Sequence, residues 1–207
     1  MTRMKAQLIN ERAIAELAAQ LSRLVYGDAF IDGLTPAQWT ALRFFSRANR
    51  FSRTVSAFAE FHATTKGPAS QTVKSLVVKK LIKRTRSKSD GRSARLDLTA
   101  NGQALLKNDP FEILIRAAGT LPSSTRVTIA RALERMLAQV AKQRDRHLFG
   151  TCLSCKHLAG DGCSTEDKAP YQCTLVHEPL QESEIAQLCI NFERHKSKAI
   201  SEICDGT

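Results

Sequence analysis

All six cysteines of this 207-residue chain lie between Cys152 and Cys204, and the residues before them contain none. Four of them follow the spacing C-x2-C-x17-C-x15-C, formed by Cys152, Cys155, Cys173 and Cys189. Two thiolates separated by two residues can reach one metal centre from a single turn of the chain. The cysteines therefore predict a metal site, and a bound metal would supply much of the folding energy of this short segment.

The residues alone leave the set of ligands open. Cys189 lies on the apolar side of a predicted helix, "PLQESEIAQLCINF", where a free cysteine is commonly a small buried apolar residue. Cys163 follows Asp161-Gly162 in a loop and is the alternative ligand. Cys204 lies close to the C-terminus, where chains are often frayed, and is the weakest candidate.

Ligand chemistry favours one kind of centre. Structural zinc commonly uses two compact pairs of cysteines, whereas this chain combines one such pair with two isolated cysteines. An all-thiolate set of this kind suits a [4Fe–4S] iron–sulfur cluster, which is larger than one ion and needs no histidine. Zinc is the alternative, since it accepts histidine in place of a thiolate; three histidines are nearby, His147, His157 and His177. Reactive free thiols are the third reading.

The charge of the chain is divided unevenly along its length. Residues 1–150 hold 26 basic and 11 acidic side chains, whereas residues 151–207 hold five and nine. Residues 66–95 contain ten basic side chains and a single acidic one, Asp90. A patch of this kind is typical of a protein that binds a polyanion.

The overall composition predicts an ordinary globular protein. The chain is 43% hydrophobic and 25% charged, and no apolar run approaches the length needed to cross a bilayer, so we expect no membrane partner. The first residues, "MTRMKAQLINERAIAEL", interrupt their apolar positions with charges too often for a secretory signal. We therefore expect a cytoplasmic protein, in which thiols stay reduced.

Helix signals surround the start of the basic patch. Apolar residues recur at helical spacing over residues 8–25. In "LTPAQW", Thr35 is an N-cap and Gln38 completes a capping box, which predicts a helix from Pro36 to about Arg47. A short helix is predicted over Val55–His62. The stretch "TTKGPASQTVKSLVVKKL" predicts another helix, with an apolar stripe of Val73, Leu76, Val77 and Leu81.

A basic hairpin follows that last helix. The stretch "LIKRTRSKSDGRSARLDLT" predicts two strands, since Asp90-Gly91 strongly favours a tight hairpin turn. Its basic residues are Lys83, Arg84, Arg86, Lys88, Arg92 and Arg95. A helix-turn-helix followed by a basic hairpin is typical of a winged helix, whose second helix enters the major groove of DNA and whose wing reaches the minor groove.

These segments together resemble the MarR family of bacterial transcription regulators, over about residues 8–148. The resemblance rests on "LTPAQWTALRFF", "TKGPASQTVKSLVVKKLIKR", the wing signature Asp90-Gly91-Arg92-Ser93 and "LDLTANG". It implies a mainly α (α+β) fold, in which residues 1–148 form a winged helix-turn-helix domain with N- and C-terminal dimerisation helices. Many family members have glycine immediately before the Leu-Ile of the first wing strand, where this chain has Lys80.

The same resemblance implies partners and site residues. It implies a homodimer on palindromic double-stranded DNA, with contacts from Lys66, Ser70, Gln71, Lys74, Lys88 and Arg92. Asp90 would brace the wing. Some family members carry a similar cysteine-rich tail, here residues 149–207, with cysteines matching Cys152, Cys155, Cys173 and Cys189. The last long helix is predicted to end near Leu148, with an apolar stripe suited to a dimer interface at Ala130, Leu133, Leu137 and Val140.

The sequence thus predicts a DNA-binding regulator whose operator affinity is controlled by an iron–sulfur centre in the tail. The alternative is a regulator with a purely structural zinc site that responds to a small molecule. An enzyme that uses the winged helix only for docking is disfavoured, because the chain has no paired carboxylates in a metal-binding arrangement, Gly-rich phosphate loop or nucleophile elbow.

Overall fold

A computed structural model describes residues 10–25, 30–86, 94–160 and 169–195 of the chain. The first part is helical and ends in a hairpin: α1 Glu11–Val25, α2 Pro36–Arg47, α3 Val55–Phe61, α4 Lys66–Val78, β1 Ile82–Arg86 and β2 Ala94–Leu98. Three further helices follow: α5 Ala100–Leu105, α6 Glu112–Gly119 and the long α7 Ser123–Gln143. In the described parts of the chain, no helix is long and apolar enough to span a membrane.

Helix α2 begins where the capping box predicts. The Thr35 hydroxyl oxygen accepts a hydrogen bond from the backbone of Gln38 at 3.3 Å, and the Gln38 side chain accepts one from the backbone of Thr35 at 3.0 Å. Such a cap contributes about 1 kcal/mol to helix stability. The amide of Gln38 also donates to the hydroxyl of Ser75 in α4, at 2.8 Å, so the same residue joins the two helices.

One apolar core holds the helices against the hairpin. Its largest fully buried side chains include Trp39, Phe44, Phe45, Phe58, Leu76, Ile82 and Leu96. Strands β1 and β2 are antiparallel, with Ile82 opposite Leu98 and Arg84 opposite Leu96. The helix-turn-helix and the strands of the wing are therefore confirmed, and the predicted turn residues Asp90-Gly91 lie outside the described residues.

The long helix ends earlier than the predicted position near Leu148. Helix α7 stops at Gln143, and Asp145 follows with a left-handed backbone, φ 48°. The chain turns there because Phe149 packs against the main core, with its ring 5.9 Å from that of Phe44 and 5.3 Å from that of Phe61. The partial burial of the Phe149 side chain thus outweighs one further turn of helix.

The tail folds into short strands. They are β3 Gly150–Thr151, β4 Leu158–Ala159, β5 Tyr171–Cys173, β6 Glu178–Leu180 and β7 Leu188–Cys189, with helix α8 Glu182–Ile185 before the last. Strands β4, β5 and β6 form one antiparallel sheet, and β3 pairs with β7. The helix predicted around Cys189 is wrong: Leu188 and Cys189 are both buried and give their backbone to strand pairing.

A strained residue follows the end of α4. Lys80, where many MarR members have glycine, adopts a left-handed backbone with φ 57°. It closes the helix: the Lys80 N–H donates to the Val77 carbonyl and the Leu81 N–H to the Leu76 carbonyl, both at 2.9 Å. Only glycine adopts this conformation without a steric penalty from Cβ.

We therefore expect Lys80→Gly to raise the free energy of unfolding by roughly 0.5–1 kcal/mol, since it removes the left-handed strain. The measurement is urea unfolding followed by circular dichroism. Lys79→Gly is the matched control, because Lys79 has φ −71° and glycine there should destabilise the protein. Equal effects of both substitutions would contradict the assignment of strain to Lys80.

Candidate DNA-binding surface and cysteine site

Helix α4 presents one face to the core and the other to solvent. Ala69, Val73 and Leu76 are buried, so they fix the rotation of the helix. On the outer side, three residues expected to contact DNA are exposed and the fourth is half-buried; the exposed ones are Lys66, Gln71 and Lys74, and the fourth is Ser70. This face carries cationic ends for phosphates and amide and hydroxyl groups for base edges.

The base of the wing is held by an ionic network that sequence reasoning missed. The carboxylate of Asp97 in β2 accepts from Arg53 at 2.7 Å, from the Thr85 hydroxyl at 2.6 Å and from Arg95 at 3.0 Å. Burial alone would raise the pKa of Asp97, but these hydrogen bonds and the charge of Arg95 lower it below its usual value. The expected wing contacts Lys88 and Arg92, and the brace Asp90, lie outside the described residues.

The short strands of the tail position the four predicted ligands. Gly150 of β3 pairs with Cys189 of β7, and Leu158 of β4 pairs with Cys173 of β5. A tight 3-10 turn spans Cys152–Ser154, and the N–H of Cys155 donates to the carbonyl of Cys152 at 2.9 Å. All four thiols are free; Cys152 and Cys189 are buried, whereas Cys155 and Cys173 are half-buried. We call these four residues the cysteine site.

The four thiols are close enough to act on one another electrostatically. Burial raises the pKa of Cys152 to about 12, and the charges of Cys189, Cys155 and Cys173 contribute to this rise. In the described parts of the chain, no three Cys, His, Asp or Glu side chains stand close enough together to hold a single metal ion. Cys163 and Cys204 lie outside those parts. The choice of these four cysteines as ligands stays a prediction.

The histidines near the site have other positions. The His157 ring nitrogen Nε2 lies 3.0 Å from a carboxylate oxygen of Glu193. His177 follows β5 in a turn, with φ 56°, and His147 is exposed after the end of α7. Histidine as an alternative metal ligand stays a prediction.

Polar groups from Asn49, Ser52 and Asn191 lie near the sulfur of Cys189. Burial raises the pKa of this thiol, and donors from the Asn49 side chain, the Asn191 backbone and the Ser52 side chain act in the opposite direction. Asn49 and Ser52 belong to the loop 48–53, between α2 and α3, and are 1% and 0% exposed. No sequence signal connects this loop with the cysteines, because the contact is made only when β7 packs on the loop.

Strand β7 joins the tail to the winged helix. The N–H of Asn49 donates to the carbonyl of Leu188 at 2.8 Å, and the N–H of Ile190 donates to the Ser52 hydroxyl at 2.9 Å. The Arg50 guanidinium bonds the Pro179 carbonyl at 2.5 Å and lies 3.4 Å from the carboxylate of Glu184. The acidic tail thus docks on a basic part of the chain.

The capped helix α2, the exposed face of α4 and the hairpin β1–β2 define a winged helix-turn-helix, a class of fold that binds duplex DNA. Residues 32–93 match the sequence model of the MarR family, so this segment is similar to the proteins of that family. No curated protein matches the chain by sequence.

Solved structures have the same fold. One is a MarR/EmrR family transcriptional regulator from Acinetobacter sp. ADP1, with 19% identity and a TM-score of 0.53, aligned over 65% of this chain and 99% of its own. Another is S. aureus MepR in complex with DNA, with 18% identity and a TM-score of 0.52, aligned over 63% of this chain and 96% of its own. At these identities the likeness establishes the helix-rich α+β fold.

Burial and charge predict the order in which the thiols react. In metal-free protein at about pH 8, an alkylating reagent should modify Cys152 slowest, because its raised pKa leaves almost no thiolate. The half-buried Cys155 should react sooner. Raising the pH should accelerate Cys152, since its thiolate fraction grows as the pH approaches its pKa.

Mass spectrometry of peptides from timed samples measures the rate at each cysteine. Denatured protein is the control, in which the differences between the cysteines should largely disappear. Equal rates at Cys152 and Cys155 in the folded protein would contradict the enclosed position of Cys152.

Proposed function

We propose that this protein is a homodimeric transcriptional regulator that binds palindromic duplex DNA through α4 and the wing. The carrying observation is the outer face of α4, where Lys66, Gln71 and Lys74 are exposed on a MarR-type winged helix. The DNA complex of MepR, a structure of the same fold, agrees with this proposal. On this proposal the recognition helix lies in the major groove and the basic wing lies along the minor groove.

Exposed apolar faces support the homodimer. Helix α1 exposes Leu17 and Leu24 at 59% and 72%, and α7 exposes Leu137 and Val140 at 58% and 54%. A single chain in water gains nothing from such exposure, and a second copy that covers both faces would remove it from water. Dimerisation would also set the distance between the two recognition helices, which must match the separation of two half-sites.

DNA affinity should fall steeply with salt, because each cation that neutralises a phosphate releases counterions from the DNA. Between about 50 and 200 mM salt we expect a loss of roughly 10³-fold or more. Lys74→Ala should weaken binding and reduce the salt slope by about 1. Lys107→Ala, an exposed lysine after α5, is the matched control and should leave the slope unchanged. Fluorescence anisotropy with operator DNA measures both, and a flat salt dependence would contradict duplex binding.

We further propose that the cysteine site binds a [4Fe–4S] cluster. All four ligands would be soft thiolates, which clusters require, and a cluster is wider than the single ion that a zinc site holds. The donors around the Cys189 sulfur fit a thiolate, because each of them stabilises negative charge on sulfur. The amide nitrogen of Asn49 is buried and lacks a hydrogen-bond partner, so a Cys189 thiolate would supply the missing acceptor. When bound, the cluster would give the site a charge that changes when the cluster is oxidised or lost.

Two contacts connect the cysteine site with the DNA-binding part. Cys155 forms a β-bridge with Arg194, whose guanidinium lies 3.0 Å from the carboxylate of Glu134 in α7. At the other end of the site, β7 hydrogen-bonds the loop 48–53. A change at the centre would therefore reach both the dimer helix and the winged helix, and so the operator affinity.

Serine substitution tests the centre. Cys152→Ser, Cys155→Ser, Cys173→Ser and Cys189→Ser should each lose the metal, because each removes a soft ligand. Cys204→Ser is the matched control and should keep it. Cys163→Ser discriminates the fourth ligand: metal loss there, with Cys189→Ser unaffected, would replace Cys189 by Cys163.

Iron, sulfide and zinc analysis of protein purified without oxygen measures the occupancy. A brown protein with iron and acid-labile sulfide is expected, whereas colourless protein with stoichiometric zinc would favour a structural clip. DNA titration of metal-loaded protein, metal-free protein and Cys152→Ser then tests regulation. Identical affinities for all three would contradict a sensory role.

A further inference from the structure

The loop 48–53 touches the cysteine site from the DNA-binding part of the chain. Backbone hydrogen bonding fixes its position, since the Asn49 N–H bonds the Leu188 carbonyl immediately before Cys189. The Ser52 hydroxyl accepts from the N–H of Ile190 immediately after Cys189. The two loop residues therefore bracket the cysteine on both sides along the strand.

The orientation of the Asn49 amide is determined by its own partner. The Asn49 oxygen accepts a hydrogen bond from the N–H of Ser52 at 3.0 Å, and both residues are fully buried. The amide nitrogen must then point the other way, and it is the one buried side-chain polar atom of the described residues that lacks a hydrogen bond. Leaving a buried donor without an acceptor costs about 1–3 kcal/mol, so an acceptor is expected there.

We propose that Asn49 and Ser52 are positioning residues of the cysteine site, which donate hydrogen bonds to the Cys189 thiolate and join the centre to the winged helix. The inference rests on the metal centre proposed above. The Ser52 oxygen accepts from Ile190, which leaves its proton free for the sulfur. Donors to a ligating sulfur hold the ligand in place and raise the reduction potential of a cluster, because they stabilise its more negative state.

The same loop continues to the wing. Arg53 donates to the carbonyl of Ala48 at 2.8 Å and to the carboxylate of Asp97 at 2.7 Å, and its own carbonyl accepts from the Leu96 N–H at 2.9 Å. A displacement of Asn49 and Ser52 at the sulfur would thus displace Arg53 and the base of the wing. The loop offers the centre a direct route to DNA binding, separate from the dimer helix.

Asn49→Asp tests the donor without changing the shape of the side chain. Aspartate keeps an oxygen for the Ser52 N–H, but it replaces the amide donor by a second acceptor. Asn101→Asp, at an exposed position in α5, is the matched control. Ser52→Ala removes the second donor and keeps the proposal testable should Asn49→Asp fail to fold, which thermal unfolding checks.

The experiment uses the full chain purified without oxygen. With metal-loaded protein, we expect Asn49→Asp to release its metal to a chelator about 10-fold faster or more, a typical effect of losing a residue that supports a metal ligand. Spectroelectrochemistry should give a lower reduction potential for Asn49→Asp than for the parent. A smaller change in the same direction is expected for Ser52→Ala, and none for Asn101→Asp. The release rate is informative for zinc as well as for a cluster.

DNA binding supplies the second measurement. The ratio of the DNA dissociation constants of metal-free and metal-loaded protein should move toward 1 in Asn49→Asp and stay at the parent value in Asn101→Asp. One outcome overturns this inference alone: the parent carries metal, and the folded Asn49→Asp and Ser52→Ala variants have the same metal-release rate and reduction potential as the parent. A parent that carries no metal overturns the proposed centre and this inference with it.

Discussion

The packing of β7 on the loop 48–53 is the contact on which the arrangement of this molecule depends. In this contact, the carbonyl of Leu188 accepts from the N–H of Asn49, and the N–H of Ile190 donates to the hydroxyl of Ser52. The same two loop residues lie near the Cys189 sulfur. Ile190 beside it packs against the main core, and Phe51 of the loop packs against the small core of the tail. Each part of the chain therefore contributes an apolar side chain to the core of the other, so the tail and the winged helix pack together directly.

The basic residues of α4 and those of the loop 48–53 have different surroundings. The basic residues of α4 stay exposed to solvent, where they are available to phosphates, whereas those of the loop 48–53 are used internally. Arg53 forms an ion pair with Asp97, and Arg50 forms ion pairs with Glu178 and Glu184 of the tail. These internal pairs are partly buried, and salt screens them less than it screens exposed charges. These internal ion pairs should thus persist at salt concentrations that weaken DNA binding.

The proposed centre would suit this position. The tail has only a small apolar core, formed by Cys152, Leu180 and Ile185 with a few half-buried neighbours, so a bound metal would add substantially to its stability. Loss of the metal would then loosen the segment that touches both Glu134 of α7 and the loop 48–53. Regulation by such a centre would require no large movement, because binding to two half-sites depends on the spacing and orientation of two recognition helices.

The sequence by itself determined the elements whose signals are local. Thr35 and Gln38 specified the start of α2, and the apolar stripe of Val73 and Leu76 specified the inner face of α4, because capping and helical periodicity act within one turn. The tertiary structure alone decided the end of α7, the strand at Cys189 and the position of Asn49 beside that strand. Each of these depends on a partner distant in sequence: Phe149 finds its place only in an assembled core, and β7 forms only against β3. Long-range burial and strand pairing overrode local helix preference there, because they remove more apolar surface and satisfy more backbone groups than one extra turn would.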